Sequence, residues 1–196
     1  MHHGKLFAHA PTPGLGLGLP TPASSHPSTP KSKSLSPPHS DTGLVVSNEE
    51  EVLPFYCLGF VILDVVYISD VSYIPEATWQ IIETTRKRPY SLFILDCLRP
   101  LPHTSHFGLA QAVETARRLD TDGKLRTYLV GFCHDVTHAQ WEEIGRCLKD
   151  ASGRLDDPVV TSAIELVPKG RPTWMMPAYD GLRLRIDEEG KVLEDT

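Results

Sequence analysis

The sequence predicts an α/β fold, and three observations lead to that class. Apolar runs of strand length alternate with segments whose apolar residues recur at helical spacing. Acidic residues and histidines follow several of these apolar runs directly. Residues 10–51 stand apart because they are dense in Pro, Ser and Gly. We predict that this segment is disordered, since it offers too little apolar surface to offset its ordering entropy, and that the ordered domain covers residues 52–196.

The first half of the ordered domain is predicted to contain three strands and a helix. YCLGFVILDVVYISD is typical of two strands that turn at Leu63 and Asp64. Pro75 opens EATWQIIETTRKR, where basic residues suit the carboxyl end of a helix. The continuous apolar run in SLFILD indicates a strand that is buried on both faces.

The second half of the domain continues the alternation. Helical spacing predicts one amphipathic helix lined by Leu109, Val113, Ala116 and Leu119, and another lined by Trp141, Ile144, Cys147 and Leu148. RTYLVGF, between them, predicts a buried strand, and LRLRID predicts a final alternating strand. Residues 152–175 give no clear pattern.

Composition excludes several classes of protein. A chain of 196 residues with a formal net charge of −6 is not expected to bind nucleic acid, which attracts basic surfaces. The four cysteines have no CxxC spacing, so we expect reduced thiols without structural zinc or disulfides. Neither a signal peptide nor an apolar run long enough to cross a bilayer is visible, so we expect a soluble, cytoplasmic protein with no membrane partner.

The polar residues that follow the apolar runs are the candidates for function. Asp70 follows VVYIS, Asp96 ends LFILD, His134 and Asp135 follow YLVGFC, and His106 lies in the loop before a helix. Because ligands of open α/β sheets bind beyond the carboxyl ends of the strands, these side chains can converge. Carboxylate and imidazole groups together suit Zn²⁺, Mn²⁺ or Fe. Each residue also has an ordinary interpretation, as a turn or helix cap or as a surface histidine.

Four longer motifs, taken in order, resemble a known family. YISDVSYIP, LDCLRPLPHTSHFGLAQAVETARRL, TYLVGFCHDVTH and AYDGLRLRID are similar to the C-terminal half of the metallo-β-lactamase superfamily. The most similar branch contains the phosphonate-pathway cyclic phosphodiesterases, and the transfer-RNA 3′-processing ribonucleases are more distant. The resemblance covers about residues 52–188. It implies an αββα sandwich with a two-metal site, present here as an incomplete C-terminal half with a disordered Pro/Ser-rich insertion.

The resemblance also implies roles for individual residues. Asp70 matches the metal-bridging aspartate, and His106 matches a histidine that assists phosphodiester cleavage. His3 in MHHGK matches a ligand histidine, so residues 1–9 would be the remnant of a metal-binding loop. Asp96 and Asp180 match strand-end positions that support the ligands rather than bind metal. The implied cofactor is a divalent metal, Zn²⁺ or Mn²⁺, and the implied substrate is a small phosphodiester or ester.

The sequence departs from the family pattern in two ways. The HxHxDH motif is absent, and Gly131 occupies a position where a ligand histidine is common. His134 is a further candidate metal ligand, because Gly131 leaves space for its side chain to turn inward. Two hypotheses follow from these departures. One is a metal-dependent, phosphodiesterase-like hydrolase that is truncated and weak or inactive. The other is a non-catalytic fragment that binds a partner through an uncovered sheet face, or an interaction module that presents the Pro-rich segment to aromatic grooves.

Overall fold

The computed structural model describes the backbone of residues 5–8 and the whole of residues 56–195. The predicted disorder of residues 10–51 and the predicted ligand His3 lie outside these residues. The strands are β1 (Lys5–Ala8), β2 (Leu58–Ile62), β3 (Val65–Ile68), β4 (Leu92–Asp96), β5 (Arg126–Val130), β6 (Met175–Pro177), β7 (Arg183–Ile186) and β8 (Val192–Asp195). The helices are α1 (Glu76–Thr85), α2 (Leu109–Leu119), α3 (His138–Asp150) and α4 (Pro158–Glu165).

The main sheet has six strands in the order β1-β2-β3-β4-β5-β6. β1, β2 and β3 are antiparallel neighbours, whereas β3, β4, β5 and β6 run parallel. Helices connect the parallel strands, as such connections require. β7 and β8 form a separate antiparallel hairpin. These features confirm the α/β class.

The predicted turn between the first two strands of the domain is confirmed. β2 ends at Ile62 and β3 begins at Val65, so Leu63 and Asp64 form the connection. Leu63 has a φ of 54°, a left-handed conformation that tight turns demand. The backbone carbonyl of Asp64 accepts hydrogen bonds from the next strand segment, which ties the hairpin to β4.

Helix α1 is shorter than the sequence predicts. Pro75 precedes its first turn, as expected, but the helix ends at Thr85 and Arg86 is extended with a ψ of 123°. The basic residues therefore lie beyond the helix, and the prediction that they form its carboxyl end is wrong. Pro89 restricts the residue before it to extended conformations, which disfavours continuing the helix through this segment.

The buried side chains of the main sheet and of the four helices form one hydrophobic cluster. Its buried side chains include Val66, Phe93 and Leu129, and the helical spacing predicted for α2 and α3 is confirmed by burial. Helix α4 was not predicted; Asp157 caps its amino end and Pro158 is its first residue, a start signal that the sequence contains. None of the helices in the described residues is both long and apolar enough to span a bilayer.

One face of the sheet is partly open. The β2 side chains on that face, Leu58, Phe60 and Ile62, are 49%, 37% and 50% exposed. Towards β5 the same face is covered, because Tyr128 is buried and its hydroxyl donates a 2.6 Å hydrogen bond to Glu194 of β8. The hairpin thus covers one end of this face and leaves the β2 end exposed to solvent.

Candidate metal centre

Three of the predicted residues meet at the carboxyl edge of the parallel strands. Asp96 is the last residue of β4, and Asp70 lies two residues beyond the end of β3. His106 comes from the loop between β4 and α2. One ligand atom from each of these side chains lies within 4.8 Å of the others. Parallel pairing of β3 with β4 brings Asp70 and Asp96 together despite their separation in the sequence.

Asp96 is the buried centre of this cluster. Its side chain is 1% exposed, and both carboxylate oxygens lie 3.1 Å from Nδ1 of His106. The backbone N–H of Phe107 donates to the same carboxylate at 3.2 Å, and the N–H of Asp70 also donates to it. Burial raises the pKa of the Asp96 carboxyl, and the hydrogen bond from His106 opposes that rise. The carboxylate is therefore engaged by protein donors on several sides.

The contact with Asp96 orients His106. A carboxylate acceptor requires a proton on Nδ1, which leaves Nε2 as the ring nitrogen available for a metal or a substrate. The surrounding loop is held by hydrogen bonds from Leu98 to Phe107 and from Leu109 to Pro100. A Cβ at Gly108 would lie 2.8 Å from the Leu101 backbone, so only glycine permits this close approach.

Asp70 presents the exposed carboxylate of the cluster. Its side chain is 71% exposed, and its Oδ1 lies 4.0 Å from Nδ1 of His106. The φ of Asp70 is 54°, in the left-handed region that non-glycine residues adopt rarely and that is enriched at functional sites. The Ser69 hydroxyl donates to Asp70 and the Tyr67 hydroxyl donates to Ser69, both at 3.2 Å. Neither Tyr67 nor Ser69 was predicted from the sequence as part of the site, although alternation along an extended segment places the two on one side.

Gly131 borders the same cluster from β5. Its φ is 82°, and a Cβ built there would lie 2.9 Å from Oδ1 of Asp96. A histidine at this position would therefore need both a strained backbone and a displaced Asp96. The local geometry thus favours glycine at position 131.

The remaining predicted residues lie elsewhere. His134 is exposed in the turn after β5, and Asp180 is exposed in the turn of residues 179–182. Within the described part of the chain, neither belongs to a group of three potential metal ligands.

A cavity of about 490 Å³ opens beside Asp70 and His106. Its walls are mainly aromatic and apolar, and they include Tyr56, Leu58, Phe60, Tyr67 and Cys57. The Phe60 and Tyr67 rings lie 6.2 Å apart between centroids. Among the described residues that line this cavity there is no lysine or arginine.

This chain is similar to a solved structure but matches no protein-family model. No curated protein matches it significantly either. One similar solved structure is the crystal structure of a new diphosphatase from the PhnP family, with a TM-score of 0.46 and 25% sequence identity. The similarity covers 68% of this chain and 39% of that one, so the chain spans less than half of its length.

Proposed function

We propose that this chain carries the metal-binding edge of a metal-dependent hydrolase that acts on phosphodiesters or related esters. The observation that supports the proposal is the convergence of Asp70, Asp96 and His106 within 4.8 Å at the carboxyl edge of the sheet. That edge is where α/β proteins bind ligands. The resemblance of the surrounding motifs to the metallo-β-lactamase superfamily agrees with this assignment.

The donor atoms of the cluster suit a divalent cation such as Zn²⁺ or Mn²⁺. Asp70 would hold the metal through its exposed carboxylate, and the resemblance adds His3 as a second ligand. Asp96 is already engaged by three protein donors, so its role is to support His106 rather than to bind the ion. When bound, such a metal would supply an activated water and neutralise charge on the substrate.

His106 would transfer a proton in this reaction. Asp96 fixes its Nδ1 proton and thereby directs Nε2 away from the carboxylate. From that position Nε2 can pass a proton to the leaving group or stabilise developing charge. Because the described residues supply few ligands, we expect weak activity from this chain alone.

The adjoining cavity favours substrates with an aromatic or apolar ester group. Its aromatic walls can pack against a planar group, and the described lining residues offer no cation for further phosphate groups. A phosphodiester carries one negative charge, which a metal can neutralise without help from arginine or lysine. Phosphomonoesters, with two charges at neutral pH, are therefore expected to be poorer substrates.

Hydrolysis of bis(p-nitrophenyl) phosphate with added Mn²⁺ or Zn²⁺ tests the proposal. Asp70→Asn should lower metal content and activity by about 10–100-fold, as loss of groups at metal sites commonly does. Asp156→Asn, which changes an exposed aspartate outside the cluster, is the matched control and should leave both unchanged. Equal activity in wild-type protein and Asp70→Asn would exclude this site.

The role of His106 can be separated from metal binding. His106→Gln should reduce the hydrolysis rate and retain the metal content of the wild type if the histidine transfers a proton. Parallel loss of metal and activity would instead make His106 a ligand. Metal content measured by elemental analysis distinguishes these two results.

A second candidate is a partner-binding module. The exposed β2 side chains Leu58, Phe60 and Ile62 favour it, because contiguous apolar surface often marks an interaction site. Replacing Leu58 and Ile62 with Ser should then weaken association in solution, whereas Asp70→Asn should not. Unchanged association in the double variant would exclude this face as the interface.

A further inference from the structure

A second cleft lies at the opposite edge of the sheet from the metal centre. It has a volume of about 580 Å³ and is bounded by the start of β5, the end of α3, the segment before β6, and the β7–β8 turn. Arg126, one of its lining residues, is the first residue of β5, whereas Gly131 directly follows the other end of that strand. A strand of this length spans roughly 13 Å between its terminal residues, so the two sites are separate.

The charge of this cleft is opposite to that of the chain. Four basic side chains line it, from Lys124, Arg126, Lys149 and Lys191, against one acidic side chain from Glu189. The whole chain contains 19 basic and 25 acidic residues, so this local excess of positive charge runs against the composition. Such concentration in a concave surface focuses a positive potential and attracts anions.

Most of these cations have no acidic partner. Lys149 pairs with Asp150 at 3.2 Å. Among the residues that the structure describes, no carboxylate forms an ion pair with Arg126, Lys124 or Lys191. Their charge is therefore not neutralised within this part of the protein and remains available to a ligand.

Arg126 is held in place by stacking. The carbon of its guanidinium group lies 4.4 Å from the centroid of the Trp174 ring. Tyr128 packs against Trp174 with its edge, at a centroid distance of 5.2 Å. The N–H donors of a stacked guanidinium lie in the plane of the group, so they remain free to bind an anion. Because stacking already restricts the side chain, it loses less entropy on binding than a freely moving arginine would.

The wall formed by the β7–β8 turn is also fixed. Tyr128 donates to Glu194 of β8 at 2.6 Å, and Arg88 donates to the backbone carbonyl of Glu188 at 3.0 Å. Lys191 follows that turn directly, and its backbone N–H donates to Asp187 at 2.8 Å. The cleft is thus built before any ligand arrives, which lowers the cost of binding.

We propose that this cleft binds a small ligand with adjacent phosphate groups. Arg126 would form the central contact and Lys124 and Lys191 would neutralise the outer charge. Several cations on different walls suit a diphosphate group better than a single phosphate. The group can belong to free pyrophosphate or to a nucleoside diphosphate.

Calorimetric titration of metal-free protein with inorganic pyrophosphate tests this site, with orthophosphate and adenosine diphosphate as parallel ligands. A chelator removes divalent metal ions, so the ligands cannot bind through a metal at the Asp70 edge. Pyrophosphate should bind more tightly than orthophosphate, and Arg126→Gln should weaken its binding by about tenfold. Tighter binding of adenosine diphosphate than of pyrophosphate would assign the site to nucleotides, and equal binding would assign it to the diphosphate group alone.

Two controls make the result decisive. Arg183→Gln removes the same charge from an exposed position on β7 and should leave affinity unchanged. Lys191→Gln changes an exposed side chain, so it tests the cleft even if Arg126→Gln fails to fold. Loss of affinity in Lys191→Gln but not in Arg183→Gln supports the site. Equal loss in both, or no binding of pyrophosphate by the wild type, would overturn the proposal.

The indole signals of the three tryptophans locate the ligand. In proton–nitrogen correlation spectra pyrophosphate should shift the Trp174 signal and leave those of the buried Trp79 and Trp141 in place. Hydrolase activity does not enter these measurements. Failure of the metal-centre proposal therefore leaves this test unaffected.

Discussion

Gly131→Ala is the most informative single substitution at the metal centre. Two separate effects act at this position, the left-handed backbone at a φ of 82° and the contact that a Cβ would make with Oδ1 of Asp96 at 2.9 Å. Asp96 cannot easily move away, because it is buried and bonded to His106 and to the Phe107 backbone. The substitution therefore strains the backbone and perturbs the cluster together.

The magnitude follows from these two effects. A left-handed conformation costs a non-glycine residue about 1–2 kcal/mol. Forcing the buried Asp96 side chain out of its place typically costs about 1–3 kcal/mol more. We therefore expect Gly131→Ala to lower the free energy of unfolding by about 2–5 kcal/mol, a large part of the ~5–15 kcal/mol that holds a typical domain together.

Guanidinium unfolding followed by circular dichroism measures this loss, and two other glycines are matched controls. Gly123 and Gly181 have φ values of 77° and 86°, and a Cβ at either would meet nothing within 4 Å. Alanine at these positions should cost only the backbone strain, about 1–2 kcal/mol. The difference between Gly131→Ala and these controls isolates the contact with Asp96.

A loss of stability in Gly131→Ala no larger than in Gly123→Ala and Gly181→Ala would contradict this expectation. That result would mean that the Asp96 side chain moves aside with no loss in the free energy of unfolding, and that its hydrogen bonds do not fix its position. The hydrolysis rate gives an independent reading, since a displaced Asp96 should also disturb His106.

Three further predictions concern other contacts. Asp96→Ala should cost about 1–3 kcal/mol in chemical unfolding, because it leaves buried N–H groups unpaired. Tyr128→Phe removes the donor to Glu194 and should speed amide exchange in β7 and β8, since the hairpin loses about 1 kcal/mol of support. Hydrogen bonds from Arg146 lower the pKa of Glu143 to about 2, so Glu143→Gln should destabilise the protein at neutral pH, with the difference from wild type shrinking as pH falls from about 4.5 towards 2 in acid-unfolding curves.

The sign of the last effect follows from the direction of the pKa shift. A carboxyl whose pKa is lower in the folded state stabilises the protein above its unfolded pKa and loses that contribution on protonation. Each prediction has a control of the same chemistry at an exposed position: Asp180→Ala, Tyr179→Phe and Glu165→Gln. If a control matched its partner variant, the named contact would not be the cause.

Much of the fold could be predicted because local patterns determine it. The alternation in LGFVI and VVYI and the helical spacing of Leu109, Val113 and Ala116 place each segment on a buried face. These patterns depend only on the period of the backbone and the hydrophobic effect. Helix α4 was missed because it is only eight residues long and its start depends on a cap at Asp157.

The candidate site, like the fold, could be predicted from the sequence only in part. The sequence by itself determined that Asp70, Asp96 and His106 follow or flank strands, and thus that they could share one edge. Only the tertiary structure decided that Asp96 is buried behind His106, that Gly131 touches Asp96, and that Arg126 stacks on Trp174 at the other edge. These contacts join segments far apart in the chain, and strand pairing and side-chain packing, which no local pattern encodes, set their distances.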